Sequence, residues 1–186
     1  ERRLAVGKQL LDSLINSKAI VFPKGSHAEA RLSGIQLGQA TLAGSLDRID
    51  VIDPQTLLVI DYKTGGALPS LTTKNASQLI KAWKHRSQLI FYAILLRHSP
   101  QFKQYKTVAG QMVYVQSESA KQLVANYSPT HDDITQLEKL AQNVWHKVRN
   151  LELPDTSKYP PTLTGIEAFI QALLDEQIEF ISFFLS

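Results

Sequence analysis

The sequence predicts an α/β domain in which a mixed β-sheet is flanked by helices. Helical hydrophobic spacing alternates with short apolar strands in the order α, three strands, α, strand, α, α. The 186 residues are 44% hydrophobic and 20% charged, which suits one globular domain and excludes a disordered or collagen-like chain. The longest apolar run, Leu89 to Leu96, is too short to span a bilayer. We therefore expect a single domain over residues 1–186, with a core at about 1–117 and a C-terminal helical region at about 131–186.

The first part of the chain is predicted to form one helix and a three-stranded meander. Leucines and isoleucines recur at helical intervals over residues 2–17. Three strands are predicted at His27–Leu37, Thr41–Ile52 and Leu57–Lys63. Gly34 is expected to mark a bend or bulge in the first strand, and Asp53-Pro54-Gln55-Thr56 a tight turn before the third. The third strand is apolar at successive positions, so we expect a central strand covered on both faces.

The second part of the chain is predicted to be mostly helical. The expected elements are a long helix at Ala76–Arg97, a strand at Thr107–Gln116, a helix at Asp132–Asn150 and a last helix from about Thr164. Because the fourth strand follows a crossover helix, it should lie parallel to a neighbouring strand. Residues 154–161 are expected to be irregular.

The absence of cysteine is the most restrictive feature of the composition. With no Cys, the chain has no disulfide, thiolate zinc site, iron–sulfur cluster or cysteine nucleophile. Any bound metal must be held by oxygen or imidazole ligands.

Charge is segregated along the sequence, although the net charge is only +3. The segment 63–117 contains eight of the 20 basic residues and none of the 17 acidic ones, so it carries +8 and the remainder −5. A carboxylate-free basic stretch is typical of a polyanion-binding surface, although a solvated lysine-rich helix face would look the same.

Two predicted strands carry acidic residues where apolar ones are expected. Asp47 lies in the second strand, and Asp61 in the third is followed two residues later by Lys63 on the same face. Two carboxylates suit Mg²⁺, and an adjacent ammonium suits a phosphodiester hydrolysis site. The alternative is an ion pair at a strand end, because so short a pattern often arises by chance.

Strand register provides a geometric test of this site. If Ile52 pairs directly with Leu57, Asp47 stands opposite Tyr62 and points away from Asp61. A bulge, or a connection with an odd number of residues, instead brings Asp47 opposite Asp61. The functional interpretation therefore predicts such an irregularity.

Three segments together resemble a known family. Gly44–Asp50 reads G-x-x-D-R-I-D, Ile60–Gly65 reads I-D-Y-K-T-G, and Gln88–Ala93 reads Q-L-x-x-Y-A. These are similar, in order, to the motifs of RecB-type nucleases of the PD-(D/E)XK superfamily. The resemblance covers about residues 44–93 directly, and it implies a restriction-endonuclease-like core of αβββαβ order plus C-terminal helices.

The resemblance also implies roles for individual residues. Asp47 and Asp61 would be catalytic ligands of Mg²⁺ or Mn²⁺, the backbone carbonyl of Tyr62 a third ligand, and Lys63 the catalytic lysine. Gln88 and Tyr92, at i and i+4 on one helix face, would border the site and position DNA. Additional DNA contacts are expected from the basic helix residues Lys81, Lys84 and Arg86.

One part of the family pattern is not matched. Relatives usually supply a further His or Glu ligand from a helix before the first strand, but residues 2–17 contain only one acidic residue and no His. Glu29 could substitute as a metal ligand, with His27 a weaker candidate. The real ligand could also lie upstream of residue 1.

The resemblance implies partners and a cellular role as well. We expect a Mg²⁺-dependent deoxyribonuclease, more an exonuclease than an endonuclease, acting in cytoplasmic DNA repair and recombination. Its partners would be DNA and a UvrD-like helicase domain, and it would have no membrane partner and no iron–sulfur cluster. The alternative is a catalytically silent DNA-binding module with the same fold.

Overall fold

The computed structural model describes residues 2–16, 21, 23–68, 70–117, 123–152 and 154–184, with backbone alone at 2–4, 6, 9, 13 and 176–184. The helices are α1 (Arg2–Asn16), α2 (Leu79–His98), α3 (His131–Asn150) and α4 (Leu163–Phe184). The strands are β1 (His27–Leu37), β2 (Ala40–Asp53), β3 (Thr56–Lys63), β4 (Thr107–Tyr114) and β5 (Val124–Tyr127). A 3₁₀ turn at Ala76–Gln78 precedes α2.

The strands form one mixed sheet in the order β1-β2-β3-β4-β5. The β1, β2 and β3 strands form an antiparallel meander, and β4 lies parallel to β3, so both predictions are confirmed. The antiparallel edge strand β5 was not predicted. Its four residues are too few for a period of two to be recognised in the sequence.

The central position of β3 is confirmed, and both of its faces are covered. On one face, Leu57 and Val59 pack in a core that includes Leu89 of α2. On the other face, Ile60 packs with Leu14 of α1. β3 is therefore apolar at successive positions because both of its faces are buried, as expected of a central strand.

Gly34 lies at a bulge in β1, as predicted. The register between β1 and β2 shifts between Leu32 and Ile35, and Gly34 has a φ of +67°. This left-handed conformation favours glycine because it has no Cβ.

Two strands carry glycine where side chains of α2 contact the sheet. A Cβ at Gly44 would lie 2.5 Å from Leu95 Cδ1. At Gly110 it would lie 2.8 Å from Leu89 Cδ1 and 2.9 Å from the carbonyl oxygen of Tyr127. This close packing fixes the height of α2 above β3, and the first glycine of the Gly44–Asp50 segment is therefore a packing residue.

The C-terminal helices are as predicted, and α3 packs against α2 and against the β1–β2 part of the sheet. Helix α3 begins with a capping box formed by Thr130 and Asp133. Buried Asn143 of α3 donates to the carbonyl oxygen of Leu173 in α4, at 2.8 Å. Among the helices in the described part of the chain, none has the length and apolarity needed to cross a bilayer.

Candidate active site

The register between β2 and β3 places the two candidate carboxylates on one face of the sheet. Val51 pairs with Leu57, whereas Asp53 pairs with Thr56, so the register shifts between Val51 and Asp53. The predicted bulge is thus confirmed. Since Arg48 pairs with Ile60, the next position along the ladder sets Asp47 opposite Asp61.

Asp61 is the centre of a hydrogen-bonded network between β3 and α2. Its side chain is only 4% exposed, and its Oδ1 accepts hydrogen bonds from Gln88 Nε2 at 2.9 Å and from the Tyr92 hydroxyl at 3.1 Å. Gln88 Nε2 also donates to the Tyr92 hydroxyl at 2.6 Å, and Gln88 Oε1 accepts from Lys63 Nζ at 2.8 Å. The side chains of Gln88 and Tyr92 therefore hold both Asp61 and Lys63 in place.

The second oxygen of Asp61 has a different environment. Oδ2 lies 2.7 Å from Lys63 Nζ, which makes an ion pair by distance. Buried Oδ2 accepts no hydrogen bond from the described residues, so Lys63 contacts it as an ion pair alone. A buried carboxylate oxygen is costly unless a cation neutralises it, and the Lys63 ammonium does so here. Because Oδ2 accepts no hydrogen bond from the described residues, it is the Asp61 oxygen better placed to bind a metal as well.

Asp47 and Tyr62 meet at the point where the β2–β3 ladder ends. Asp47 Oδ2 accepts a hydrogen bond from the backbone N–H of Tyr62 at 2.9 Å. The N–H and C=O of one strand residue face the same neighbouring strand, so the Tyr62 carbonyl also faces β2, beyond the last ladder pair. One carboxylate and one carbonyl are thereby directed to the same side of Asp61.

Tyr92 keeps its proton under all ordinary conditions. Burial and the negative charge of Asp61 raise its pKa far above the usual value of 10. The hydroxyl is therefore a permanent donor to the Asp61 carboxylate.

The comparison with known protein families matches residues 7–162 to the PD-(D/E)XK nuclease superfamily. The match covers most of the chain and includes the whole carboxylate network. The chain belongs to the PD-(D/E)XK nuclease superfamily. None of the curated proteins compared matches the chain. Proteins of this superfamily are generally nucleases that use divalent metals such as Mg²⁺ or Mn²⁺.

The donors of this PD-(D/E)XK site fit a small divalent cation. Among the described residues, no group of three or more His, Asp or Glu side chains could hold a metal ion. The groups in a position to hold one are the Asp47 and Asp61 carboxylates and the Tyr62 carbonyl. Mg²⁺ typically takes one or two carboxylates and keeps several waters, so this donor set suits it. Asp61 Oδ2 lies beside Lys63 and accepts no hydrogen bond from the described residues, so it is the member of this set that best fits a cation.

Glu29 lies near the site in register but does not complete a carboxylate cluster. Ala28 pairs with Arg48 and Ala30 with Leu46, so Glu29 stands opposite Asp47. Its φ of +51° is rare for a residue with a side chain, and the residue is exposed. His27, the weaker candidate, instead makes an edge-on ring contact with Phe102 at 5.4 Å.

The three basic residues predicted to contact DNA lie in different surroundings. Lys81 reaches the site, where Nζ donates to the carbonyl oxygen of Gly66. Lys84 is exposed on the next helical turn. The guanidinium of Arg86 lies 5.9 Å from the ring of Tyr127 on the edge strand β5. Of these three, Lys81 lies nearest the end of β3, although it makes no contact with the Asp61 network among the described residues.

Arg48 and Asp50 form a buried ion pair on the sheet face opposite Asp47. Arg48 Nε donates to Asp50 Oδ1 at 2.8 Å, and both side chains are less than 5% exposed. Arg48 also donates to the Tyr62 hydroxyl at 3.3 Å and to the carbonyl oxygen of Val21. Burial opposes the charged guanidinium, but its contacts with Asp50 and Tyr62 raise the pKa of Arg48 overall. Through Arg48, this pair holds the Tyr62 side chain on the face opposite Asp47. Asp50, the last residue of the Gly44–Asp50 segment, therefore has a structural role.

Tyr114 of β4 is a site-bordering residue that the sequence analysis did not single out. It pairs in register with Lys63, and its hydroxyl lies 2.8 Å from Nδ1 of His85. The apolar pattern of β4 in the sequence does not indicate that Tyr114 lies beside Lys63. The signal could only have come from the parallel register of β3 and β4.

Proposed function

We propose that this chain is a metal-dependent DNA nuclease of the RecB type that hydrolyses phosphodiester bonds at Asp47, Asp61 and Lys63. Membership of the PD-(D/E)XK superfamily supports nuclease chemistry in general. The three motif segments of the sequence support the RecB-type assignment. The observation that carries the proposal is the buried Asp61 carboxylate, with one oxygen fixed by two donors and the other facing Lys63 without a hydrogen bond.

The ligand set in this proposal is Asp47, Asp61 and the Tyr62 carbonyl, with Glu29 as a further candidate. A bound Mg²⁺ or Mn²⁺ would lower the pKa of a bound water and stabilise charge on the scissile phosphate. Gln88 and Tyr92 keep Asp61 Oδ1 occupied, which leaves Oδ2 as the oxygen that faces the cation. Glu29 would need to rotate from its exposed position, and its opposition to Asp47 in register supports that candidacy.

Lys63 would orient the attacking water or stabilise transition-state charge. Its ammonium is held 2.8 Å from Gln88 Oε1 and 2.7 Å from Asp61 Oδ2, and it remains about a quarter exposed. A cation that is positioned before the substrate binds does not have to be reorganised in the transition state. Partial exposure leaves room for a phosphate beside it.

DNA recognition would use the carboxylate-free segment 63–117. Its eight basic residues include Lys81 at the site and Lys84 on the exposed surface of α2. Arg86 is the least favoured of the predicted contacts, because its guanidinium already lies against Tyr127. Binding should therefore weaken as the salt concentration rises.

The test is digestion of end-labelled single- and double-stranded DNA in Mg²⁺, Mn²⁺ or EDTA. Wild type should cleave only with a divalent metal, and Asp61→Ala and Lys63→Ala should abolish cleavage while leaving the circular dichroism spectrum unchanged. Lys139→Gln, an exposed charge change on α3, serves as the control. Unchanged cleavage by Asp61→Ala would remove the assignment.

The products of the same digestion test the finer proposals. We infer an exonuclease, so mononucleotides or short fragments should appear from one end of the DNA, whereas internal cuts in circular DNA would indicate an endonuclease. Roles in repair and recombination, a cytoplasmic location and association with a UvrD-like helicase follow from the motif resemblance alone. Stimulation of digestion by such a helicase is the direct test of that partnership.

A catalytically silent DNA-binding module is the second candidate. It is favoured by one observation, namely that the described residues contain no group of three acidic or histidine side chains able to hold a metal. This candidate predicts DNA binding without cleavage in either metal, and cleavage by wild type excludes it.

A further inference from the structure

Beside the carboxylate network, α2 directs two more side chains towards Tyr114 of β4. Lys81, His85 and Gln88 follow one another at helical spacing and so share the face that packs on the sheet. Lys81 Nζ lies 5.6 Å from the centre of the Tyr114 ring, and the His85 ring stacks on it at 5.8 Å. Because Tyr114 pairs with Lys63, three nitrogen-bearing side chains surround one buried ring.

His85 presents an unused hydrogen-bond donor at this position. The Tyr114 hydroxyl makes its hydrogen bond in the described structure with His85 Nδ1, at 2.8 Å. Burial and the charge of Asp61 raise the pKa of Tyr114 to about 12, so the hydroxyl keeps its proton and is able to donate to Nδ1. Burial, followed by the charges of Lys63 and Lys81, lowers the pKa of His85 to about 4, so the ring is neutral. In the tautomer in which Nδ1 accepts from Tyr114, the ring proton is on Nε2. Nε2 makes no hydrogen bond with the described residues.

Lys81 has no acidic partner in the described part of the chain. Its ammonium contacts the carbonyl oxygen of Gly66, and a Cβ at Gly65 would lie 3.8 Å from Nζ. Gly65 and Gly66 are exposed and carry no side chains, so the backbone of a ligand can approach closely. The loop is anchored behind them by Leu68 and Leu71, which are 2% and 1% exposed.

Lys81 and His85 together offer an ammonium group and a ring nitrogen beside Tyr114. Both side chains lie against the Tyr114 ring, and no carboxylate forms an ion pair with Lys81 among the described residues. A phosphodiester oxygen accepts hydrogen bonds and carries the opposite charge, which matches such a set. Lys63 is already held by Asp61 and Gln88, whereas Lys81 contacts neither, so Lys81 is the ammonium available to a second phosphate.

We propose that Lys81 and His85, with Lys63 at their border, bind one non-scissile phosphate of the DNA strand next to the bond cleaved at Asp61. The proposal rests on the proposed nuclease function, because that function defines which phosphate is cleaved. It assigns His85 a binding role and gives Tyr114 the role of fixing the His85 ring and tautomer.

The first test measures DNA binding without cleavage. Fluorescence anisotropy of a labelled single-stranded oligonucleotide is recorded in EDTA from 50 to 200 mM salt. Loss of one phosphate contact should reduce the slope of log affinity against log salt by about 0.7 in Lys81→Gln. Between 50 and 200 mM salt, the fold-loss of affinity should therefore be about 2.6 times smaller for Lys81→Gln than for wild type. Lys81→Arg should keep the wild-type slope, as should Lys139→Gln.

The second test identifies the phosphate and the role of the ring. A neutral methylphosphonate placed one linkage from the cleaved bond should slow cleavage by wild type but add nothing to the defect of Lys81→Gln. His85→Phe, which keeps an aromatic ring on Tyr114 and removes the N–H, should lose the same sensitivity.

An unchanged salt slope in Lys81→Gln would overturn the subsite. So would full methylphosphonate sensitivity in both Lys81→Gln and His85→Phe. Failure of the proposed function has a different signature, namely normal DNA binding and a normal effect of Lys81→Gln on the slope, without metal-dependent cleavage.

Discussion

Tyr92→Phe removes one oxygen atom from the network around Asp61 and leaves the aromatic ring in place. The hydroxyl accepts from Gln88 Nε2 at 2.6 Å and donates to Asp61 Oδ1 at 3.1 Å, and the residue is 7% exposed. Without it, Asp61 Oδ1 retains Gln88 as its donor, and one Gln88 N–H loses its acceptor. The substitution therefore loosens the carboxylate without creating a large cavity.

The magnitude follows from the two bonds that are lost. A hydrogen bond to a charged group contributes about 1.5–3 kcal/mol, and at 3.1 Å the bond to Asp61 belongs at the lower end. The bond from Gln88 adds about 0.5–1.5 kcal/mol. A loss of about 2–3 kcal/mol should lower the melting temperature by roughly 4–12 °C for a chain of this size. A loosened carboxylate should slow single-turnover cleavage by about tenfold or more, since about 1.4 kcal/mol corresponds to a factor of ten.

The assays are thermal unfolding by circular dichroism and single-turnover cleavage of a labelled oligonucleotide. Tyr105→Phe is the matched control, because Tyr105 packs against the same core and its hydroxyl makes no hydrogen bond within the described structure. Equal melting temperatures and equal cleavage rates for Tyr92→Phe and the control would refute the reasoning.

Three further predictions follow from other parts of the network. Asp47→Asn keeps an acceptor for the Tyr62 N–H but removes a charge, so melting without metal should be unchanged while cleavage falls on the order of 10²-fold or more. An unchanged digestion rate would contradict this. Arg48→Met leaves Asp50 buried without its charged partner and should cost about 3–5 kcal/mol in urea unfolding, whereas a loss below about 1 kcal/mol would argue against the pair. The pKa of His85 is lowered to about 4 by burial and two neighbouring lysines, so the unfolded chain binds more protons between pH 6.5 and 4. Stability should then fall as the pH decreases through this window, and His85→Gln should show a shallower decrease in urea unfolding.

The sequence predicted most of the fold because most of its elements carry a strong local pattern. The meander, the central strand and the crossover helix each have a hydrophobic period or turn residues that indicate them. The edge strand β5 has neither, and it is defined only by pairing with β4. The bulge between Val51 and Asp53 was predicted on functional grounds, since no residue type in that turn requires it.

The site could be predicted to the extent that its residues are close in sequence. Asp61 and Lys63 share a strand face, and Gln88 and Tyr92 share a helix face, so each pair follows from periodicity. How the two pairs meet depends on the packing of α2 over glycines of β2 and β4, which sequence spacing does not encode.

Other features of the site depend on tertiary proximity alone. The contact of His85 with Tyr114 joins residues 29 positions apart, and the ion pair of Arg48 with Asp50 depends on burial of the sheet face behind the site. The roles of these residues are visible only once the strand order and register are known.

The central claim is that the carboxylates beside Lys63 support metal-dependent phosphodiester hydrolysis. The most direct measurement is the single-turnover rate of cleavage of a labelled oligonucleotide by wild type and by Asp61→Asn, with Mg²⁺ and with EDTA. Wild type should cleave in Mg²⁺ and not in EDTA, and Asp61→Asn should lose activity on the order of 10²–10³-fold with the fold intact. Equal rates for the two proteins, or cleavage by wild type that persists in EDTA, would contradict it.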